Sequence, residues 1–227
     1  MKLTHQTLCE IGARWLRNKC NCGIAYVEHK VAHSNEIPDA FGIRDYGRTT
    51  ILLEAKVSRG DFLGDRKKHH RENPDCGMGD YRFFIVPRGL VQPNEVPPRW
   101  GLLEVSAGGK VFITKGPKKH ITSLCGVDEL RRRIEWGKER LNDDNPYVVR
   151  GAKSSIKYAQ QEAAEVQDFL FPYKNYDAER ELMYGALRMW FIASESGRDC
   201  VQHEKYYVNP MKDDRDSVEG SCKNMSR

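Results

Sequence analysis

This sequence lacks long apolar runs, and it lacks the even, regularly spaced set of cysteines that a disulfide framework needs. No stretch approaches the ~20 consecutive apolar residues that a membrane-spanning helix needs, and the first residues lack the apolar segment of a secretory signal peptide. The seven cysteines are odd in number and widely scattered, which argues against a disulfide framework. We therefore expect a cytoplasmic protein with reduced thiols and no membrane partner.

The sequence also lacks a strong excess of positive or negative charge. The 227 residues are 30% charged and 39% hydrophobic, with a formal net charge of +5. A chain of this length can form one core, or one core with a helical extension. The mild positive charge is compatible with a polyanionic partner but does not identify one by itself.

The spacing of the apolar residues predicts a mixed α/β protein. We expect a mixed sheet flanked by helices over residues 1–142, a helical extension over 143–208 and a polar, disordered tail over 209–227. Helices are predicted over 4–16, 58–70, 128–141, 155–170 and 177–193, and strands over 23–31, 37–43, 49–57, 81–86, 101–105 and 110–114.

A carboxylate and an ammonium interrupt the third predicted strand, which is otherwise apolar. Side chains alternate between the two faces of a strand, so Glu54 and Lys56 point the same way and Ala55 points to the other face. Asp39, which follows Pro38, lies on the neighbouring predicted strand. A buried unpaired charge costs several kcal/mol or more, so these charged groups need partners.

Two carboxylates and one ammonium in one place indicate a cation site. Asp39 and Glu54 would repel each other unless a proton or a divalent cation joined them. A hard cation such as Mg²⁺ or Mn²⁺ takes oxygen ligands, and Lys56 would then stabilise negative charge on a nearby phosphate. This combination is the chemistry of metal-dependent phosphodiester hydrolysis.

The order of these residues resembles the PD-(D/E)XK nuclease superfamily. The matching residues are Pro38-Asp39 and Glu54-Ala55-Lys56, in the order helix, strand, strand with Asp, strand with Glu-x-Lys, helix. The stretch from Glu54 to Phe62 and the strand YRFFIVP at 81–87 are similar to the MmcB-like DNA-repair branch of that superfamily. The resemblance covers residues 1–120 and does not reach the C-terminal helices.

The resemblance implies a restriction-endonuclease-like fold and a metal-dependent deoxyribonuclease. By that analogy Asp39, Glu54 and Lys56 are catalytic, and the backbone carbonyl of Ala55 joins the two carboxylates as a ligand of Mg²⁺ or Mn²⁺. Two other functions stay open. One is a non-catalytic nucleic-acid-binding module on a nuclease-like fold, and the other is a protein-interaction factor that acts through its C-terminal helices.

One metal ligand is left undecided by the resemblance. Many relatives in the superfamily add an acidic ligand from the first helix or the first strand. In this sequence Glu10 is the candidate on the helix and Glu28 is the candidate on the strand. Glu28 shares a face with Tyr26, whereas Glu10 lies about opposite the apolar face of its helix.

A basic stretch follows the Glu-x-Lys strand. Ser58 and Asp61 fit the capping box of a helix, and Asp65 further along is expected to face solvent or to pair with a nearby cation. The basic side chains either contact DNA phosphates or form a solvated helix face. The candidates for contact are Arg59, Arg66, Lys67, Lys68 and His70.

The cysteines near the N-terminus do not match a zinc motif. Cys20 and Cys22, with Cys9 and His5 upstream, lack the two-residue spacing of a zinc knuckle. We therefore expect free thiols at these positions.

Overall fold

A six-stranded mixed sheet is the centre of the fold. The computed structural model describes residues 2–28 and 36–195. The strands lie side by side in the same order as along the chain. They are β1 Ile24–Val27, β2 Ala40–Arg44, β3 Thr49–Ala55, β4 Tyr81–Pro87, β5 Trp100–Val105 and β6 Val111–Lys115.

The middle of the sheet is parallel and both edges are antiparallel. β1 pairs with β2, β2 with β3 and β5 with β6 in antiparallel fashion, whereas β3, β4 and β5 run parallel. The predicted hairpin between the second and third strands is confirmed, with Phe41 opposite Leu52. The predicted hairpin of the last two strands is confirmed as well.

Helices flank the sheet and make up the C-terminal part, which confirms the predicted mixed α/β class. No helix within residues 2–28 and 36–195 is both long enough and apolar enough to cross a membrane. The helices are α1 His5–Cys20, α2 Arg59–Asp65, α3 His69–Glu72, α4 Val127–Glu139, α5 Pro146–Val166 and α6 Tyr176–Glu195.

α1 packs closely against one face of the sheet. Its N-terminus is capped by Thr4, whose hydroxyl oxygen accepts a hydrogen bond from Thr7 N at 3.2 Å. The buried Leu8 joins an apolar cluster with the sheet. Gly12 permits the close approach, because a Cβ at that position would lie 2.8 Å from Leu53 Cδ1.

β3 is buried along its whole length because both faces of the sheet are covered. Leu53 and Ala55 belong to the α1 cluster, whereas Leu52 belongs to a second apolar cluster on the other face. A continuous apolar run is typical of a strand between two layers. The burial that the sequence predicts for Glu54 and Lys56 is confirmed.

The helix after β3 is shorter than predicted. Ser58 caps it as expected, its Oγ accepting a hydrogen bond from Asp61 N at 3.2 Å. The helix ends at Asp65 rather than near His70, and the single-turn helix α3 follows. Between them Lys68 has extended backbone angles, φ −71° and ψ 140°. The break has an electrostatic reason, since it places the lysine ammonium against two buried carboxylates.

The C-terminal helices share both apolar clusters with the sheet. α5 begins at Pro146, earlier than predicted, because Asn145 caps it and proline suits the first helical position. Val166 at its end belongs to the α1 cluster, and Leu182 of α6 belongs to the second cluster. The division of the chain at residue 142 stays a prediction.

A buried ionic network fixes the segment before α6 to the sheet. Lys174 Nζ lies 2.8 Å from Asp80 Oδ2 and 3.0 Å from Glu179 Oε2. It also donates to Thr50 Oγ1 at 2.9 Å. All four residues are buried, so the network would be strongly destabilised by losing its lysine.

Residues 29–35 and 196–227 lie outside the described part of the chain. Three predictions fall there: the end of the first strand, the end of the helical extension and the polar tail over 209–227.

Candidate metal and phosphate site

The Glu-x-Lys residues of β3 form a buried ion pair. Glu54 and Lys56 have side-chain exposures of only 1% and 5%. Lys56 Nζ donates a hydrogen bond to Glu54 Oε2 at 3.1 Å. The two side chains therefore point the same way, as the alternation of a strand predicts.

Asp65 at the end of α2 is a second buried carboxylate. Its Oδ1 lies 3.1 Å from Lys56 Nζ and 2.8 Å from Lys68 Nζ. Lys68 Nζ also lies 3.2 Å from Glu54 Oε2. The expectation that Asp65 faces solvent is wrong, because α2 turns this residue toward the sheet. The alternative expectation, pairing with a nearby cation, is confirmed.

Arg71 of α3 connects three carboxylates. Its Nη2 lies 3.2 Å from Glu54 Oε1, and its Nε donates to Asp65 Oδ2 at 2.6 Å. Its Nη1 donates to Glu36 Oε1 at 3.3 Å. The guanidinium carbon lies 4.2 Å from the centre of the Trp100 ring, a cation–π distance. We call the following side chains the ionic cluster: Glu36, Glu54, Asp65, Lys56, Lys68 and Arg71.

The ionic cluster shifts the pKa values of its own members. Burial would raise the pKa of Glu54, but the surrounding cations, Arg71 foremost, outweigh burial and lower it. Burial is outweighed in the same way at Asp65, whose pKa falls to about 2. Burial would lower the pKa of Lys56, but Glu54 and Asp65 raise it above its ordinary value. Lys56 is therefore a fixed cation at neutral pH, which suits electrostatic stabilisation and not general-base catalysis.

Asp39 lies immediately before β2, beside the ionic cluster. Its Oδ2 accepts a hydrogen bond from Ala55 N at 2.6 Å, and its Oδ1 lies 3.3 Å from His5 Nε2. Burial, and next the negative charge of Glu54, raise the pKa of Asp39 to about 6. The two carboxylates thus oppose each other's ionisation, and a cation bound near both would relieve the repulsion.

The backbone of Ala55 faces Asp39. Lys56 donates its N–H to β4, so the N–H and C=O of Ala55, one residue earlier, face the opposite neighbour, β2. Extending the register of β2 and β3 brings Pro38 opposite Ala55. Because proline has no N–H, it cannot donate to the Ala55 carbonyl that the resemblance makes a metal ligand.

Glu28 is the further acidic residue that the structure places with Asp39. Glu28 Oε1 lies 3.5 Å from Nδ1 of His5, the ring that also contacts Asp39. Glu28 N donates to Asp39 O at 3.2 Å. Glu10 is exposed instead and accepts a hydrogen bond from Gln6 at 3.0 Å.

His70 does not belong to the basic surface on which the sequence placed it. It is buried, with its Nε2 3.5 Å from Glu36 Oε1. Burial, followed by the charge of Arg71, lowers the pKa of His70 to about 4, so the ring is neutral at physiological pH. A single helix through His70 was expected. The structure has a separate helix α3 instead, and α3 directs this side chain inward.

The other four candidates for DNA contact remain at the surface. Arg59 pairs with the Glu95 carboxylate, and Arg66 donates to Glu95 O at 3.0 Å. Lys67 is exposed. Lys68 is 42% exposed although its ammonium also contacts the ionic cluster. These cations form a positive rim beside the buried carboxylates.

The donor set fits a hard divalent cation. Asp39 and Glu54 offer carboxylate oxygens and Ala55 offers a carbonyl oxygen, which are the ligand types of Mg²⁺ and Mn²⁺. Two lysine ammonium groups already contact Glu54 Oε2. Within the described residues Glu54 Oε1 is buried without a hydrogen bond. It lies 3.2 Å from Arg71 Nη2 without hydrogen-bond geometry, so both oxygens of Glu54 face protein cations.

Four residues in this region carry no sequence signal that links them to the site. Glu36 lies in a loop, where no periodicity applies. Arg71 is one of several adjacent charges, and nothing in its spacing indicates that it points inward. His5 and Cys9 are four residues apart, so they share a helix face, but that spacing alone does not link them to Asp39.

Comparison of the chain with protein-family models, with curated proteins and with solved structures gives no match. The resemblance to the PD-(D/E)XK superfamily therefore stays an expectation drawn from the motif residues.

Proposed function

We propose that this protein is a metal-dependent deoxyribonuclease. The proposal rests on Asp39, Glu54 and Lys56: Glu54 and Lys56 are paired at the end of β3, and Asp39 accepts a hydrogen bond from the intervening Ala55 N. The charge of Glu54 acts on Asp39 and raises its pKa, while Lys56 is held as a cation 3.1 Å from Glu54. A repelling carboxylate pair beside a fixed ammonium suits a divalent cation and a phosphate.

Each residue has a distinct role in this proposal. Asp39, Glu54 and the Ala55 carbonyl would hold Mg²⁺ or Mn²⁺, which when bound supplies an activated water and neutralises phosphate charge. Lys56 stabilises the negative charge that develops on the phosphate. Asp65 keeps Lys56 protonated and in place.

The surface beside the site favours a polyanionic substrate. Arg59, Arg66, Lys67 and Lys68 present positive charge next to the carboxylates, and such charges contact phosphates without regard to sequence. The choice of DNA, a place in DNA repair and a cytoplasmic location come from the resemblance and the sequence, and they are part of the proposal.

The proposal is tested by cleavage and by melting of the wild type and of Asp39→Asn. Wild type should cut single- or double-stranded DNA with Mg²⁺ or Mn²⁺ and not with EDTA. Metal at a hundredfold above its Kd should stabilise the fold by ~2.7 kcal/mol. Asp39→Asn should melt at or above the wild type in EDTA, because the repulsion with Glu54 is gone, and should lose the stabilisation by metal.

Glu10→Gln is the matched control for that experiment. It removes one carboxylate from the exposed face of α1 and should leave both cleavage and the metal effect unchanged. An equal melting shift with metal in wild type and Asp39→Asn would show that Asp39 is not a ligand.

A second candidate function is a nucleic-acid-binding module without catalysis. The observation that favours it is the engagement of Glu54 by three cations, Lys56, Lys68 and Arg71, which already neutralise this carboxylate. The second function predicts DNA binding that is independent of divalent metal, with no cleavage under any of the conditions above.

DNA binding itself is tested through the positive rim. Lys67→Ala should lower the slope of log affinity against log salt by ~0.9 on duplex DNA, the change expected for one lost phosphate contact. Adding Lys68→Ala should lower it by a similar amount again. The control pair Lys153→Ala and Lys157→Ala removes two exposed lysines of α5 and should leave the slope unchanged. An unchanged slope in the first pair would assign Lys67 and Lys68 to a solvated face.

A further inference from the structure

Four ligand-type side chains meet at the N-terminal end of α1. Nδ1 of His5 lies 3.6 Å from Cys9 Sγ and 3.5 Å from Glu28 Oε1. Asp39 contacts the other ring nitrogen, Nε2, at 3.3 Å. One ligand atom from each of the four residues lies within 4.8 Å of the others.

The distances match those between ligands of a tetrahedral metal. Metal bonds of ~2.0 Å to nitrogen or oxygen and ~2.3 Å to sulfur place neighbouring ligand atoms ~3.3–3.6 Å apart. The separations of His5 Nδ1 from Cys9 and from Glu28 fall in this interval. No backbone movement is needed to bring these two pairs to ligand spacing.

We propose that His5 Nδ1, Cys9 Sγ and Glu28 Oε1 bind a transition-metal ion of the Zn²⁺ class, with Asp39 as the positioning residue for the His5 ring. The donor set excludes Mg²⁺ as the preferred ion, because thiolate and imidazole are ligands of softer metals. Three protein ligands leave a fourth position for water or another oxygen donor.

The contacts of the two ring nitrogens support this assignment. When Nε2 carries the proton and donates to Asp39 Oδ1, Nδ1 has a lone pair that faces Cys9 and Glu28. A carboxylate behind a metal-binding histidine fixes its tautomer and its orientation in this way. Binding replaces the thiol proton of Cys9, which is released to solvent as the metal–sulfur bond forms.

Two of the described side chains of the site are open to solvent. Cys9 is fully buried, whereas His5 and Glu28 are 39% and 38% exposed. An ion can therefore enter from solvent and reach the thiol at the floor of the site. Bound there, it would tie the first turn of α1 to the end of β1.

Cobalt binding tests the proposal independently of DNA cleavage. Full-length protein kept reduced and titrated with Co²⁺ should show a thiolate-to-cobalt charge-transfer band that saturates at one equivalent and disappears on competition with Zn²⁺. Cys9→Ser should abolish the band. Cys76→Ser removes an exposed thiol and is the matched control, which should keep it.

Three further variants distinguish the ligands from the positioning residue and from the ionic cluster. His5→Ala replaces a half-exposed residue and should also abolish tight binding, which covers the case that Cys9→Ser fails to fold. Asp39→Asn should keep the band with ~10–100-fold weaker affinity, as expected for a positioning residue. Glu54→Gln should leave the titration unchanged, whatever the nuclease assay shows. Absence of the band in wild type, or its survival in Cys9→Ser, would overturn the proposal.

Discussion

Lys56→Met should reduce metal-dependent DNA cleavage by ~10²–10³-fold, the usual effect of removing one group that stabilises transition-state charge. Lys56 is buried, and its pKa is raised by Glu54 and Asp65, so no other protonation state competes with the cation. Methionine keeps most of the volume of the lysine stem while removing the charge. The measurement is the single-turnover rate at saturating DNA and metal.

Folding must be separated from chemistry in this variant. Glu54 and Asp65 keep Lys68 and Arg71 as partners after the substitution, so the fold should persist with a lower melting temperature. Metal should still stabilise the variant, because no ligand has been removed.

The matched control for Lys56→Met is Lys67→Met. It makes the same chemical change at an exposed position and should alter DNA affinity without a comparable loss of single-turnover rate at saturation. A cleavage rate that is equal in wild type and Lys56→Met would indicate a contaminating nuclease or a different active site.

The strand that carries the site was predictable because its pattern is local. Alternation along β3 correctly places Glu54 and Lys56 on one face and Ala55 on the other. The hairpin with β2 was predictable from the short turn between two apolar runs. These features depend on neighbours within a few residues, which periodicity describes.

The remainder of the ionic cluster was not predictable because it depends on where a helix stops. Asp65 lies three residues after the buried Phe62, so α2 itself turns it toward the sheet. The end of α2 at Asp65 and the extended backbone of Lys68 start the separate helix α3, which carries the buried His70. The break is favoured by a long-range contact, that of Lys68 with the Glu54 carboxylate on another element. Local helix propensity does not include such contacts.

The fold should depend most strongly on Arg71. This guanidinium contacts Glu36, Glu54 and Asp65 and stacks on Trp100. Removing one partner of a buried ion pair costs ~3–5 kcal/mol, because the remaining charge is left buried. Arg71→Met should therefore lower the free energy of unfolding by at least ~3 kcal/mol at pH 7, measured by urea denaturation in EDTA.

The control for Arg71→Met is Arg66→Met. Arg66 is exposed, donates to Glu95 O and lies 5.9 Å from the centre of the Phe62 ring, so its loss should cost less than about 1 kcal/mol. Arg71→Lys keeps the charge but not the planar guanidinium that reaches three carboxylates. Its decrease in the free energy of unfolding should lie between those of Arg71→Met and Arg66→Met.

The pH dependence identifies the origin of the loss in Arg71→Met. In wild type the pKa of Asp65 is lowered to about 2, so its contribution is present above the ordinary value of ~3.9 and disappears only as the pH falls toward 2. Without Arg71 the pKa values of Glu54 and Asp65 rise, and these carboxylates take up protons as the pH falls from 7 to 5. Protonation removes the uncompensated charge, so the stability difference between wild type and variant should narrow over that interval. A difference that is the same at pH 7 and pH 5 would instead assign the role of Arg71 to its packing on Trp100.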